Sequence, residues 1–133
     1  MGKFSSLEKT VYALLQKSKI PFECEKVFSD CYNGRYRFDF VAADLSFAIE
    51  VQGTQHFEYT SHFYKSYSEF TKAKERDRRK ISYCLAHKIK LYIIPYWEIE
   101  NLKKPADLFQ SRFLAKDKFH NDTIWKQQNS KQK

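Results

Sequence analysis

Asp39, Glu50 and Gln52 are the residues of this chain best suited to chemistry. They stand on two largely apolar stretches, 36–43 and 46–52, which read as strands joined by a short connection at Asp44 and Leu45. A two-residue turn there sets Ala43 opposite Ser46, and the same count sets Asp39 opposite Glu50. Residues directly opposite on an antiparallel pair share a face, with Cβ atoms about 4.5–5.5 Å apart. Gln52, two past Glu50, falls on that face too. Phe38, Phe40, Ile49 and Val51 flank them and keep the surroundings partly dry. Two carboxylates so placed repel, which raises one pKa. A hard divalent cation removes the repulsion: Mg²⁺, with Mn²⁺ as a substitute, takes oxygen ligands and usually keeps several waters and a substrate phosphate. Such an ion polarises a phosphodiester and acidifies an attacking water. The competing reading of this spacing is an accidental pair of carboxylates on a solvated face.

The stretch 67–87 reads as a long helix. Its apolar stripe is Phe70, Ala73, Ile81 and Cys84, with Asp77 inside the stripe and Lys80 at its edge. A charge on a buried face is costly unless paired. Lys80 aimed at the carboxylates would stabilise developing negative charge; the alternative is a structural Asp77–Lys80 pair at i, i+3. Arg76, Arg78 and Arg79 point away from the stripe and, with Lys72, Lys74, Arg35 and Arg37, are the expected phosphate contacts. Residues 65–90 hold nine basic and three acidic side chains, a net of +6. A solvated helix face also carries such runs, but here most of the net charge sits in one segment, the helix and the lysines that flank it.

Other elements must hold these residues in place. Residues 5–19 read as an amphipathic helix with Leu7, Val11, Leu14 and Leu15 on one face, and Ser5 and Glu8 have capping-box spacing. Residues 22–28 read as a strand, 29–34 as a polar loop, and 90–95 as a short interior strand. Pro105 suits the first position of a helix over 105–114. The order αβββαβα predicts an α/β (α+β) fold, a central mixed sheet with helices on both faces. Residues 1–115 form one domain in this reading, and 116–133, with five lysines against two aspartates, a partly flexible basic tail.

Composition narrows the classes of function. The chain has 133 residues, 42% hydrophobic and 17% aromatic, which fits one domain with a real core and excludes a disordered protein. Three glycines are too few for a P-loop or dinucleotide-binding turn. A net charge of +8 points to a polyanionic partner, nucleic acid before membrane. No run is long and apolar enough to span a membrane, and the first residues carry no apolar signal core. Cys24, Cys31 and Cys84 are odd in number and widely spaced, as expected of reduced thiols in cytoplasm. They form no C-x-x-C pair, so a zinc set with His56 is not expected.

The stretches Arg37-Phe38-Asp39-Phe40, Glu50-Val51-Gln52-Gly53-Thr54-Gln55-His56-Phe57, Asp77-Arg78-Arg79-Lys80-Ile81-Ser82-Tyr83-Cys84 and Ile94-Pro95-Tyr96 occur in that order. Together they resemble the PD-(D/E)XK nuclease superfamily, in particular its small phage and bacterial branch similar to very-short-patch-repair endonucleases and Holliday-junction resolvases. The resemblance spans about residues 5–96. It implies a restriction-endonuclease-like core and a Mg²⁺-dependent DNA endonuclease in a bacterial or phage-infected cell. Asp39 matches the first metal-binding aspartate and Glu50 the acid that follows. The lysine usually two residues after that acid is Gln52 here, which could offer only an oxygen to the metal; Lys80 matches a lysine that relatives relocate to the next helix. Glu8 matches an acid on the first helix of resolvase-like members, in competition with its capping role. His56 could serve as base or phosphate contact, with Gln55 orienting it.

A domain this small, without a separate sequence-reading module, fits recognition of DNA shape: a branch such as a Holliday junction, a flap or a nick. Cutting two strands calls for a homodimer. The alternative is a catalytically decayed nuclease fold that only binds nucleic acid, supported by Gln52; weaker is an interaction protein without DNA affinity.

Overall fold

The computed structural model describes residues 5–53 and 66–122. In that part of the chain, helix α1 (Ser6–Ser18) precedes strands β1 (Phe22–Val27), β2 (Arg37–Ala42) and β3 (Phe47–Gln52). Helix α2 (Tyr67–Ala86) and strand β4 (Lys90–Pro95) follow. The four strands form one mixed sheet in the order β1-β2-β3-β4. Its first three strands are antiparallel neighbours, and β4 runs parallel to β3 from Phe47 opposite Lys90 to Gln52 opposite Pro95. The architecture is thus α+β, as the order of elements predicts.

Alternation along the strands sends side chains to opposite faces, and each face is closed by one helix. Leu7, Val11, Leu14 and Leu15 of α1 pack with Phe40, Ala42, Ile49 and Ile94. Ile81 and Cys84 of α2 pack with Val41, Ala48, Leu91 and Ile93 on the other side. Ser5 caps α1 as its spacing predicts: the Glu8 N–H donates to Ser5 Oγ at 3.2 Å, and the Ser5 N–H donates to Glu8 Oε1 at 3.3 Å. Ser66 caps α2 by accepting from the Glu69 N–H.

The pairing of β2 with β3 has the expected register. Phe40 lies opposite Ile49 and Val41 opposite Ala48, and one further step sets Asp39 opposite Glu50. The connection is longer than a two-residue turn. The Leu45 N–H donates to the Ala42 carbonyl, and Asp44 Oδ1 accepts from the Ser46 N–H and hydroxyl. A loop of residues 43–46 has the same midpoint as one of 44–45, so the register is unchanged.

The predicted helix at 105–114 is corrected. Pro105–Phe109 and Ser111–Phe113 are separate 3₁₀ turns, broken at Gln110, whose ψ is 142°. Leu108 and Phe113 both enter the core. Five residues apart, they would lie about 140° apart around an α-helix, so no single helix buries both. The chain then extends: Leu114 bridges Tyr92, and the Ala115 N–H donates to the Leu91 carbonyl. It stays in contact with the body beyond 115, where Asp122 pairs with Arg78 at 2.8 Å. Residues 123–133 of the expected tail lie outside the described part.

Leu45 holds a left-handed backbone, φ 62°, and is 43% exposed. A branched side chain in that region costs about 1 kcal/mol relative to Gly or Asn. Leu45→Asn should therefore stabilise the protein by about 0.5–1 kcal/mol in urea denaturation. A loss of stability would show that the Leu45 side chain packs usefully.

Candidate active site

At Asp39 and Glu50 the ladder between β2 and β3 changes character. The Asp39 N–H donates to Glu50 Oε2 at 2.7 Å, and the Val51 N–H donates to Asp39 Oδ2 at 2.9 Å. Each carboxylate thus takes a main-chain donor of the opposite strand. On the other side of β2, the pairing with β1 skips the Glu25–Asp39 position, where Glu25 has φ 52°. Beyond this point an open cleft of about 360 Å³ forms, lined by Glu8, Arg35, Tyr36, Arg37, Asp39, Glu50, Val51, Arg76, Asp77 and Lys80.

Lys80 crosses from α2 into this cleft. Its ammonium donates to Glu50 Oε1 and, at 2.6 Å, to the Arg37 carbonyl, and it lies 4.9 Å from the centre of the Phe38 ring. The pair is buried, with side-chain exposures of 11% and 9%. Burial opposes the charge on Lys80, yet the charge and hydrogen bond of Glu50, with the charges of Asp39 and Asp77, outweigh it and raise the pKa. The i, i+3 alternative is superseded: the carboxylate that Lys80 binds is Glu50, while Asp77, 5% exposed, lines the same cleft.

Asp39 behaves as its position beside Glu50 predicts. Burial, then the charge of Glu50, push its carboxyl well above the usual range, against the pull of Lys80 and of the Val51 N–H. A hydrogen bond shared with the Glu50 carboxyl favours the protonated form further. Here a cation would do what protonation otherwise does, and two carboxylates with adjacent oxygens are a donor set that suits a hard divalent ion. Among the described residues, however, no group of three or more His, Cys, Asp or Glu side chains is close enough to hold a metal ion by itself. Waters and a substrate oxygen would have to complete the shell.

Glu8 closes the cap of α1, as its spacing predicts, and it also lines the cleft. Gln52 does not line the cleft among the described residues. It is 2% exposed, and its Oε1 has no hydrogen-bond partner among the described residues. His56 and Gln55 lie outside the described residues. Cysteine chemistry is disfavoured by the site's own electrostatics: burial, with the charge of Glu50 adding, pushes the Cys84 thiol up to about 12.

The basic residues divide in a way the helix pattern did not predict. Arg76 was expected to face away from the site but lies at the cleft with Arg35 and Arg37, and all three are exposed. Lys74 is buried, 3.8 Å from Asp122. Arg78 is bound to Asp122, and Arg79 to Glu75 and the Tyr36 hydroxyl. Lys72 is exposed. Sequence reasoning missed Tyr36 and the Arg37 carbonyl. Tyr36, three residues before Asp39, could have been noticed; a main-chain acceptor leaves no signature in side-chain identity.

Neither any protein-family model nor any curated protein sequence matches this chain.

Two expectations follow from this geometry. Removing one partner of a buried ion pair strands the other, at a typical cost of about 3–5 kcal/mol. Lys80→Met should lose that much stability by denaturant unfolding, and Lys80→Met with Glu50→Gln should recover much of it. Equal losses in the single and double variants would show that the pairing is not what matters. For Asp39, the folded state holds the proton more tightly than the unfolded chain, whose pKa is about 3.9. Its stability contribution is therefore complete below about pH 3.9 and is lost as pH rises through the higher folded value. Asp39→Asn should be more stable than wild type at neutral pH, with the difference closing toward pH 4 in thermal melts.

Proposed function

We propose that this protein is a divalent-metal-dependent endonuclease that hydrolyses DNA phosphodiester bonds. The observation that carries the proposal is the Asp39–Glu50 pair joined to Lys80 in a cleft rimmed by three exposed arginines. Asp39 and Glu50 would hold the cation, most simply Mg²⁺ with Mn²⁺ as a substitute. When bound, it supplies Lewis acidity and a lowered pKa for the attacking water. The chain's own groups do the rest. Lys80 keeps Glu50 in place and sets a positive charge beside the cleft, where charge on the reacting phosphoryl group would develop. Arg35, Arg37 and Arg76 bind backbone phosphates and fix the strand's position. A bound metal favours the ionised form of Asp39, which burial and Glu50 disfavour, so loading should strengthen as pH rises.

The preferred substrate is DNA with a departure from plain duplex, such as a junction, flap or nick, and a homodimer would supply the second active site for a two-strand cut. Gln52 favours a second reading, a nuclease fold that binds nucleic acid without cutting it: it stands where the resembling family keeps a lysine, and it is buried away from the cleft.

A cleavage panel separates the two. Four-way junction, flap, nicked duplex, plain duplex and single strand are incubated with and without Mg²⁺ or Mn²⁺. Wild type should cut at least one, and Asp39→Asn and Glu50→Gln should each cut it at least about 100-fold more slowly, the scale of several kcal/mol of lost metal-borne stabilisation. Salt-dependent binding without cleavage under either metal would select the binding protein instead.

A further inference from the structure

A second hollow, of about 350 Å³, opens beside the first, lined among the described residues by Tyr32, Asn33 and Arg35. Arg35 borders both. The size falls within the range of small-ligand sites, about 300–1,000 Å³. The chain here is shaped unusually: Tyr32, Asn33 and Gly34 have φ of 49°, 59° and 71°, three left-handed residues in succession. For a bulky aromatic residue that backbone is strained, and such strain persists where surrounding structure enforces it. Main-chain bonds do so here, from the Cys31 N–H to the Phe28 carbonyl, Gly34 to Cys31, and Arg35 to Tyr32, at 3.0–3.2 Å.

This backbone holds Tyr32 outward. The residue is 48% exposed, one of three aromatic residues exposed among those described. The Arg79 guanidinium lies over the ring, 4.7 Å from its centre, and is itself held by the Tyr36 hydroxyl at 3.1 Å and Glu75 at 3.0 Å. Tyr36 packs at 5.6 Å from Tyr32. Asn33, exposed beside the ring, makes no side-chain hydrogen bond with the described residues. A fixed aromatic ring, a cation and a free amide with both donor and acceptor are what an unstacked nucleobase needs: a surface to stack on and a partner for its edge.

We infer that the Tyr32–Arg35 hollow seats one unpaired nucleobase beside the phosphate held in the neighbouring cleft. The inference rests on the nucleic-acid reading above and deepens it. Arg35 lies between the two hollows and binds the phosphate that links the seated nucleotide to the strand in the cleft. Tyr32 thereby sets specificity, favouring DNA in which a nucleotide is already out of the stack, because a paired base must first be unstacked at a cost of a few kcal/mol.

The test compares affinity for a duplex carrying one bulged 2-aminopurine with that for the matched duplex, by fluorescence anisotropy without divalent metal. Cleavage of both with Mg²⁺ is measured alongside. Wild type should prefer the bulged DNA and quench the 2-aminopurine emission. In Tyr32→Ala the ratio of affinities should fall by about 5- to 140-fold, the scale of one base–aromatic stack. Tyr32→Trp should restore both ratio and quenching, which a merely structural role for the tyrosine would not predict. A ratio unchanged in Tyr32→Ala overturns the inference, whether or not the DNA is cut. A Tyr32-dependent ratio supports the base seat whether or not the DNA is cut; if neither these duplexes nor the junction, flap, nicked and single-stranded DNAs are cut with Mg²⁺ or Mn²⁺, the endonuclease proposal alone is overturned, so the two fail separately.

Discussion

Burying an ammonium and a carboxylate costs several kcal/mol for each ion unless each finds a partner of good geometry. In this protein that requirement falls on Lys80 and Glu50, and much of the local structure answers to it. Lys80 comes from α2, Glu50 from β3, and the second acceptor of the ammonium is the Arg37 carbonyl at the start of β2. One nitrogen therefore ties a helix to two strands. The Phe38 ring lies beside it, its centre 4.9 Å from the ammonium. The same point is where β2 and β3 stop pairing through their backbones and pair through the carboxylates of Asp39 and Glu50.

That change lets both layers reach one cleft. A continuous sheet would separate Glu8, on the α1 side, from Asp77 and Lys80, on the α2 side; past Asp39 the three line one space. Its charges are sorted by depth. Glu50, Asp77 and Lys80 are buried and Asp39 is half-buried, whereas Arg35, Arg37 and Arg76 are exposed. An acidic floor under a basic rim suits a ligand that is itself divided, a cation inside and phosphates outside. The counterpart of this arrangement is a carboxyl group, Asp39, held where its charged form is disfavoured. Functional sites often keep such a group at the expense of stability.

What could be read from the sequence was what depends on local pattern. The period of α1, its Ser5–Glu8 cap, the bounds of β4 and the apolar stripe of α2 are set by neighbours three or four residues apart or by alternation, and these stand in the structure. The Asp39–Glu50 register was legible even with the wrong loop length, since it depends only on the loop's midpoint. The misread helix at 105–114 shows the converse. Pro105 and the amphipathic composition favoured a helix, but Leu108 and Phe113 had a core to fill that one helix could not reach with both.

The basic residues mark the same division more sharply. The order of residues alone determined that the chain is strongly cationic, that residues 65–90 hold +6 of its net +8, and that two carboxylates oppose each other across the expected hairpin. Which cations are engaged within the protein was decided only by tertiary structure. Arg78 is taken by Asp122, 44 residues away, and Lys80 by Glu50, 30 residues away, while Arg76 on the same helix lines the cleft. The reason is physical. A helical period specifies direction around an axis, but the partner waiting in that direction is brought there by the rest of the chain. Charge chooses its partner by distance in space, and only the folded molecule has those distances.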